Sequence, residues 1–425
     1  MSRLEGMTQE RFREIRNVLC YTIPNRVAYF AGRARSPKRY LIGAKGDFPT
    51  GLLSKLVEYL GDKEIEYSQN DTRRPVAPTK GLFTLSLPYP PYLQQQQAVA
   101  LAKREHRGAI SMPTGSGKSI TMALLIAEMQ VPVLIVVPNL TLKTQLQDSF
   151  RQYFGSLKGI TIENIDSPAL EQAKDYGMLI LDEAHHGAAS TYRRLSKKAW
   201  SGIYYRYHFT ATPYRSQDEE QMLLESIIGQ VVYRLSYQDA VAAKMIVPIE
   251  AYYIEIPKQK VKGHYWAEVY SELVVNHKDR NKAIADLLER LKGHSTLCLV
   301  TEIKHGENIC KLTGGYFASG VNEDTKHYIT MFNNGTMRQL VGTTGILGEG
   351  TDTKPAEWVI IAGLGKAKGR FQQQIGRVLR TYTGKESGKV ILIKDASHKW
   401  TRNHFREQIK TLREEYGIAA VKLEL

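Results

Sequence analysis

Residues 109–119 read Ala-Ile-Ser-Met-Pro-Thr-Gly-Ser-Gly-Lys-Ser. An apolar run leads, a loop with two glycines follows, and a helical pattern continues from Lys118. Gly115 and Gly117 carry no Cβ, so the backbone can wrap tightly and aim its N–H groups at phosphate oxygens. The helix that opens next adds the positive end of its dipole. In such a loop Lys118 reaches the β and γ phosphates, and the Ser119 hydroxyl ligates Mg²⁺, with Thr114 and Ser116 completing the wrap. The strict pattern has glycine where this chain has Met112, so the start of the loop departs from it while every phosphate-facing element is kept. A chance Gly-Ser-Gly-Lys-Ser in a surface loop is the plain alternative; the strand before it and the helix after it weigh against that.

A second stretch completes the chemistry. Residues 178–181 read Met-Leu-Ile-Leu and run into Asp182-Glu183-Ala184-His185. An Asp at a strand end is suited to hold Mg²⁺, and the adjacent Glu to orient and deprotonate a water. Together the two stretches imply hydrolysis of a nucleoside triphosphate. His185 fits a role in coupling that site to the rest of the chain. A metal role for His185 and His186 is the weaker idea, because no carboxylate or Cys set surrounds them at ligand spacing.

Further buried-strand candidates lie at 133–137, 296–300, 339–341, 358–362 and 390–393, with helical stretches between them. Such runs fit α/β architecture: parallel sheets covered by helices on both faces, with ligand residues gathered at the strand C-termini. Residues 1–85 read as a small basic α+β head, with Arg33, Arg35, Lys38 and Arg39 close together. Within it, 39–44 reads as a strand and Lys45-Gly46-Asp47 as a turn. Thr50 is the expected cap of a helix whose face holds Leu52, Leu53, Leu56, Val57 and Leu60. A Pro-rich stretch, 75–91, follows. The expected division is a head at 1–85 and two α/β lobes at 86–247 and 248–425.

The bulk numbers agree. A length of 425 residues suits two or three domains, and 58 Lys and Arg against 43 acids leave a net charge of +15, which favours a polyanionic partner. Cys20, Cys298 and Cys310 are too scattered for a disulfide framework or a zinc site. No signal-peptide core and no apolar run of about 18 residues is present, so a cytoplasmic protein with no membrane role is expected. If the chain is phage-encoded, that cytoplasm is the host's.

Three more segments, Thr210-Ala211-Thr212, Thr-Gly-Ile-Leu-Gly-Glu-Gly-Thr-Asp at 344–352 and Gln-Gln-Ile-Gly-Arg-Val-Leu-Arg at 373–380, complete an ordered set. With them the chain resembles superfamily 2 helicases and translocases, over roughly residues 88–395. The resemblance implies two tandem RecA-like lobes that clamp ATP with Mg²⁺. It implies that Gln95, or Gln94 beside it, reads adenine and that Glu349, Gly350 and Asp352 contact the nucleotide. Gln373 falls in the sixth motif, and Arg377 and Arg380 are its arginine fingers. Pro138, Asn139 and Thr344 would contact nucleic acid. Lys366, Lys368 and Arg370 read equally as a phosphate-contacting or a solvated loop. Tyr265 and Trp266 read as packing or linker residues before they read as a base-stacking pair.

The head is similar, more loosely, to the N-terminal domains of phage branch-migration helicases of the recombination-repair type. Lys45-Gly-Asp-Phe-Pro-Thr-Gly-Leu-Leu53 and Asp71-Thr-Arg-Arg-Pro75 carry that likeness. It implies forked or junction DNA as substrate, with Arg33, Arg35, Lys38 and Arg39 on its phosphates; a stability-only head is the plain alternative. RNA is the less expected substrate, and a monomer the expected form. The competing readings are an RNA helicase and a motor subunit of a larger DNA-processing complex.

Overall fold

Four short strands, β1 (Ser2–Arg3), β2 (Cys20–Thr22), β3 (Lys38–Tyr40) and β4 (Asp47–Phe48), open the chain and pair as two antiparallel ribbons, β1 with β4 and β2 with β3. The computed structural model describes residues 1–22, 38–72, 74–173, 175–183, 189–211, 218–261, 263–347, 353, 355–363, 365 and 367–424. Strand β3 is shorter than the expected 39–44. Its pairing stops where Leu41 donates its N–H to Leu19 O, and Leu41 and Ile42 turn into the head's core. The expected turn is present, with Gly46 at φ +79°. Thr50 does not cap a helix. It begins a 3₁₀ turn, Thr50–Leu52, that runs directly into the helix Leu53–Asp62, and neither start has a side-chain cap. Leu52, Leu56 and Leu60 form the buried stripe, while Leu53 and Val57 flank it half-buried.

That stripe packs with Ile15, Leu19 and Phe48, and with Met222 and Leu223 from the helix Asp218–Ile227. The approach is close: a Cβ on Gly51 would fall 2.1 Å from Glu225 O, so only glycine fits there. The head therefore shares a core with the first lobe.

The first lobe has six parallel strands: β5 (Arg107–Ser111), β6 (Val133–Val137), β7 (Ile160–Asn164), β8 (Met178–Asp182), β9 (Tyr205–Thr210) and β10 (Val231–Arg234). Their order is β10-β5-β9-β8-β6-β7. Strands β6 and β8 are buried along their whole length, as a parallel sheet covered on both faces requires. Leu134, Val136, Leu179 and Leu181 meet Tyr192, Leu195 and Trp200 on one of those faces.

The second lobe has seven parallel strands: β11 (Ile249–Glu255), β12 (Thr296–Val300), β13 (Phe317–Ala318), β14 (Gln339–Thr343), β15 (Trp358–Ile361), β16 (Gly388–Lys394) and β17 (Ala420–Lys422). Their order is β13-β14-β12-β15-β16-β11-β17. Ile284, Leu287 and Leu288 of the helix Lys278–Arg290 pack on Cys298, Val300, Ile360 and Ile391. The fold is α/β, with two RecA-like parallel sheets and small antiparallel ribbons in the head. The chain divides into two compact units, Met1–Met112 with Lys118–Arg234, and Pro113–Gly117 with Leu235–Leu425. Among the described residues no helix is long and apolar enough to cross a membrane.

Candidate active site

In the first unit the polar ends of β5, β9 and β8 are neighbours, because β9 lies between the other two. The helix Lys118–Met129 opens at the lysine of the glycine-bearing loop. Gly115 and Gly117 sit at φ +87° and +84°, the conformation that the sequence pattern requires of them. Met112 needs no such freedom: it is buried, donates its N–H to Thr210 O at 3.0 Å, and has a sulfur that accepts from Thr121 Oγ1 at 3.6 Å. The loop thus starts from an ordinary sheet-end hydrogen bond, which explains why it tolerates methionine. Ser116 turns back on the loop, with Oγ donating to Pro113 O at 2.8 Å.

Glu183 is the junction of the site. Its Oε1 stands 3.0 Å from Lys118 Nζ, and both side chains are nearly buried. Its Oε2 accepts from Thr210 Oγ1 at 3.1 Å and from Ala211 N at 3.4 Å. The Glu183 backbone lies at φ +47°, a left-handed conformation rare for a residue with a side chain, and its N–H donates to Phe209 O at 2.9 Å. Sequence reasoning marked Thr210 only as part of a coupling segment; the structure gives it a direct bond to the candidate base. A threonine at a strand end carries no pattern that distinguishes it from a cap.

Asp182 is buried at the end of β8, and its Oδ1 accepts no hydrogen bond among the described residues. Burial first, and the neighbouring Glu183 charge second, push its carboxyl up to about 7 against the opposing pull of Lys118. The unused oxygen of this buried carboxylate and the hydroxyl of Ser119, on the helix Lys118–Met129 of the same unit, are hard-oxygen donors of the kind that Mg²⁺ takes.

The second unit holds the other candidates. Gln373 and Arg377 are buried on the helix Lys368–Leu379, and Arg380 is its C-cap residue. Within this unit a Cβ on Gly376 would fall 2.5 Å from Thr114 Cβ, and one on Gly115 3.2 Å from Arg380 Cγ. Thr344 is buried at the start of the short helix Thr344–Leu347, which follows β14.

Other candidates have structural partners already. Gln95 is buried, and its Oε1 accepts from Tyr92 N at 3.0 Å, capping its own helix Leu93–Glu105. Asn139, after Pro138, caps the helix Leu140–Phe154 through Leu142 N at 2.9 Å. Lys38 and Arg39 are exposed on β3. Trp266 packs against Tyr270, Trp400 and His404, the packing role expected of it, while Tyr265 is exposed. Arg33, Arg35, His185, His186, Glu349, Gly350, Asp352 and Lys366 lie outside the described residues.

Residues 88–176 match the family of the res subunit of type III restriction enzymes, and residues 279–382 match the helicase conserved C-terminal domain. The chain belongs to the superfamily 2 helicases and is an ATP hydrolase of the helicase and translocase type. It is 25% identical over 390 residues to the DNA 3'-5' translocase XPB2 of Sulfurisphaera tokodaii, covering 76% of this chain and 85% of that one. It is 24% identical over 375 residues to the ATP-dependent DNA helicase uvsW of Enterobacteria phage T4, covering 78% and 69%. Dbp5 of S. cerevisiae, solved bound to RNA and ADP BeF3, has a similar fold, with a TM-score of 0.58 over 78% of this chain and 90% of that one at 16% identity.

Proposed function

We propose that the chain uses ATP hydrolysis to move along forked or junction DNA, unwinding it or migrating its branch point in recombination, repair or replication restart. The observation that carries the motor reading is Glu183, tied at once to Lys118 and to Thr210. Phosphate oxygens of ATP compete with Glu183 for Lys118 Nζ. That exchange releases Oε1 to take a proton from the attacking water, while Oε2 stays on the Thr210 hydroxyl. The water oxygen bonds to the γ-phosphorus as the bond to the β–γ bridging oxygen breaks, leaving ADP and phosphate. Ser119 and Asp182 are the residues that would hold Mg²⁺, which offsets charge on the phosphates.

In this reading Arg377 and Arg380 are arginine fingers, each able to supply a factor of about 10³ to 10⁵ in rate. The proximity of Arg380 to Gly115, and of Gly376 to Thr114, supports it. Gln373 belongs to the same motif, Gln95 reads adenine, and Glu349, Gly350 and Asp352 contact the nucleotide. Pro138, Asn139, Thr344 and the head's Arg33, Arg35, Lys38 and Arg39 contact the DNA backbone, which positions but carries no sequence information. The functional division is a DNA-gripping head, 1–85, and two motor lobes, 86–247 and 248–425.

DNA as the track is supported by relatives that bear DNA translocase and DNA helicase names. The test is ATPase stimulation by single-stranded, duplex, forked and four-way-junction DNA beside RNA, with unwinding of forks of each polarity. Strongest stimulation by forks and junctions is expected; stimulation by RNA alone would overturn the reading. The match of residues 88–176 to a restriction-enzyme subunit favours one alternative, a motor subunit of a larger DNA-processing complex. Strand separation by the isolated chain would exclude a need for that partner.

A further inference from the structure

The first unit contains a cavity of about 280 Å³ at the opposite end of its sheet from Lys118 and Asp182. Arg107, the first residue of β5, and Arg206, near the start of β9, line it. So do Arg74, from the chain that leaves the head, and Arg193 and Lys197, from the helix Ala189–Lys197. No carboxylate lines it among the described residues.

Five cations around one hollow repel one another, and partial burial strengthens the repulsion. The Lys197 ammonium registers this: burial, then Arg193, then Arg39 of the head's β3 lower its proton affinity. Arg206 is buried, and neutral groups take up its N–H donors. Ser196 Oγ at 2.8 Å and Ile227 O at 3.3 Å accept from Nη1, Ile203 O at 3.1 Å accepts from Nε, and Trp200 O accepts from Nη2. These bonds fix the guanidinium at the wall of the cavity. The hollow has room for several waters at about 30 Å³ each, enough for a tetrahedral phosphate group and part of its hydration. Guanidinium forks suit phosphate oxygens.

We propose that this cavity is an anion site that seats a phosphate group of the nucleic-acid backbone, apart from the nucleotide-binding end of the sheet. It rests on the reading of the chain as a DNA motor and adds to it a second grip. Because Arg39 lies close enough to act on Lys197, the cavity continues the basic surface of the head into the first lobe. A backbone held there is tied to the lobe that carries Lys118 and Glu183. Nothing in the sequence places Arg193 and Lys197 beside Arg74 and Arg107; the fold does.

The test uses the full chain and the exposed pair R74E/K197E, with K63E/K80E as a control of equal charge outside the cavity. Binding of a fluorescent duplex is measured across a salt series, beside ATPase without DNA and the melting temperature. For R74E/K197E the slope of log affinity against log salt should shrink by about 1, since each phosphate contact contributes ~0.9. The control should shift it less, and DNA-free ATPase should be unchanged for both. An unchanged slope, or equal shifts for both pairs, overturns the site. If tripolyphosphate raises the melting temperature of the wild type alone while the DNA slope is unaffected, the site takes free phosphate and the backbone assignment is wrong. A wild type that binds no DNA ends both readings; a wild type whose ATPase DNA stimulates, with an unchanged slope in R74E/K197E, ends only this one.

Discussion

Glu183 holds a left-handed backbone at the end of a buried strand and divides its carboxylate between Lys118 and Thr210. Strain of this kind persists only where surrounding contacts enforce it, here the Glu183 N–H on Phe209 O. E183Q should keep ATP binding, measured by equilibrium titration, while hydrolysis falls by about 10² to 10⁴, the usual contribution of a general base. Normal turnover in that variant would remove Glu183 from the role. Asp182 gives a pH signature. Its carboxyl moves from the ordinary 3.8 up to about 7 in the fold. The folded chain therefore holds this proton where the unfolded chain has lost it. The contribution favours the fold at low pH and is lost as pH rises through about 7. Mg²⁺ must displace the same proton. The rise in melting temperature on adding Mg²⁺ should be larger at pH 8 than at pH 6, and D182N should abolish the difference. A Mg²⁺ effect independent of pH would contradict the assignment.

Elements were legible wherever hydrophobicity alone defines them. Residues 133–137 and 296–300 are strands at the expected bounds because each is buried throughout, the first wholly aliphatic and the second built on Leu297, Leu299 and Val300. Strand β9 was not, since Tyr-Arg-Tyr-His-Phe-Thr looks amphipathic, yet every residue is buried. Arg206 becomes tolerable there through acceptors outside the strand, the Trp200, Ile203 and Ile227 carbonyls and the Ser196 hydroxyl, which the strand's own pattern does not reveal. The glycine-bearing loop and the Asp-Glu pair were legible because their chemistry restricts residue type. The Thr210 bond to Glu183 and the basic cavity depend on strand order, which the sequence does not display. The second lobe contains a comparable hidden element. Arg280 is fully buried, donates Nη2 to Ala362 O at 2.7 Å, and stands 4.0 Å from the buried Asp395. R280A leaves that carboxylate without its counter-charge and should cost about 3 to 5 kcal/mol in denaturant unfolding. R280M/D395L should recover most of the loss; equal destabilisation by both variants would show that packing, and not charge, is at stake.

At the scale of the molecule, an excess of fifteen positive charges and two lobes with parallel sheets suit a motor that works on a polyanion. Fold class and nucleotide chemistry follow from this chain directly, whereas the track it moves on is argued from its relatives and its charge. The central claim is that one triphosphate is worked on by Lys118, Glu183, Arg377 and Arg380. The most direct test is single-turnover ATP hydrolysis by R377A at saturating DNA, beside its equilibrium affinity for ATP. The account predicts affinity within a fewfold of wild type and a hydrolysis rate lower by about 10³ or more. An unchanged rate, with DNA affinity lost instead, would contradict it.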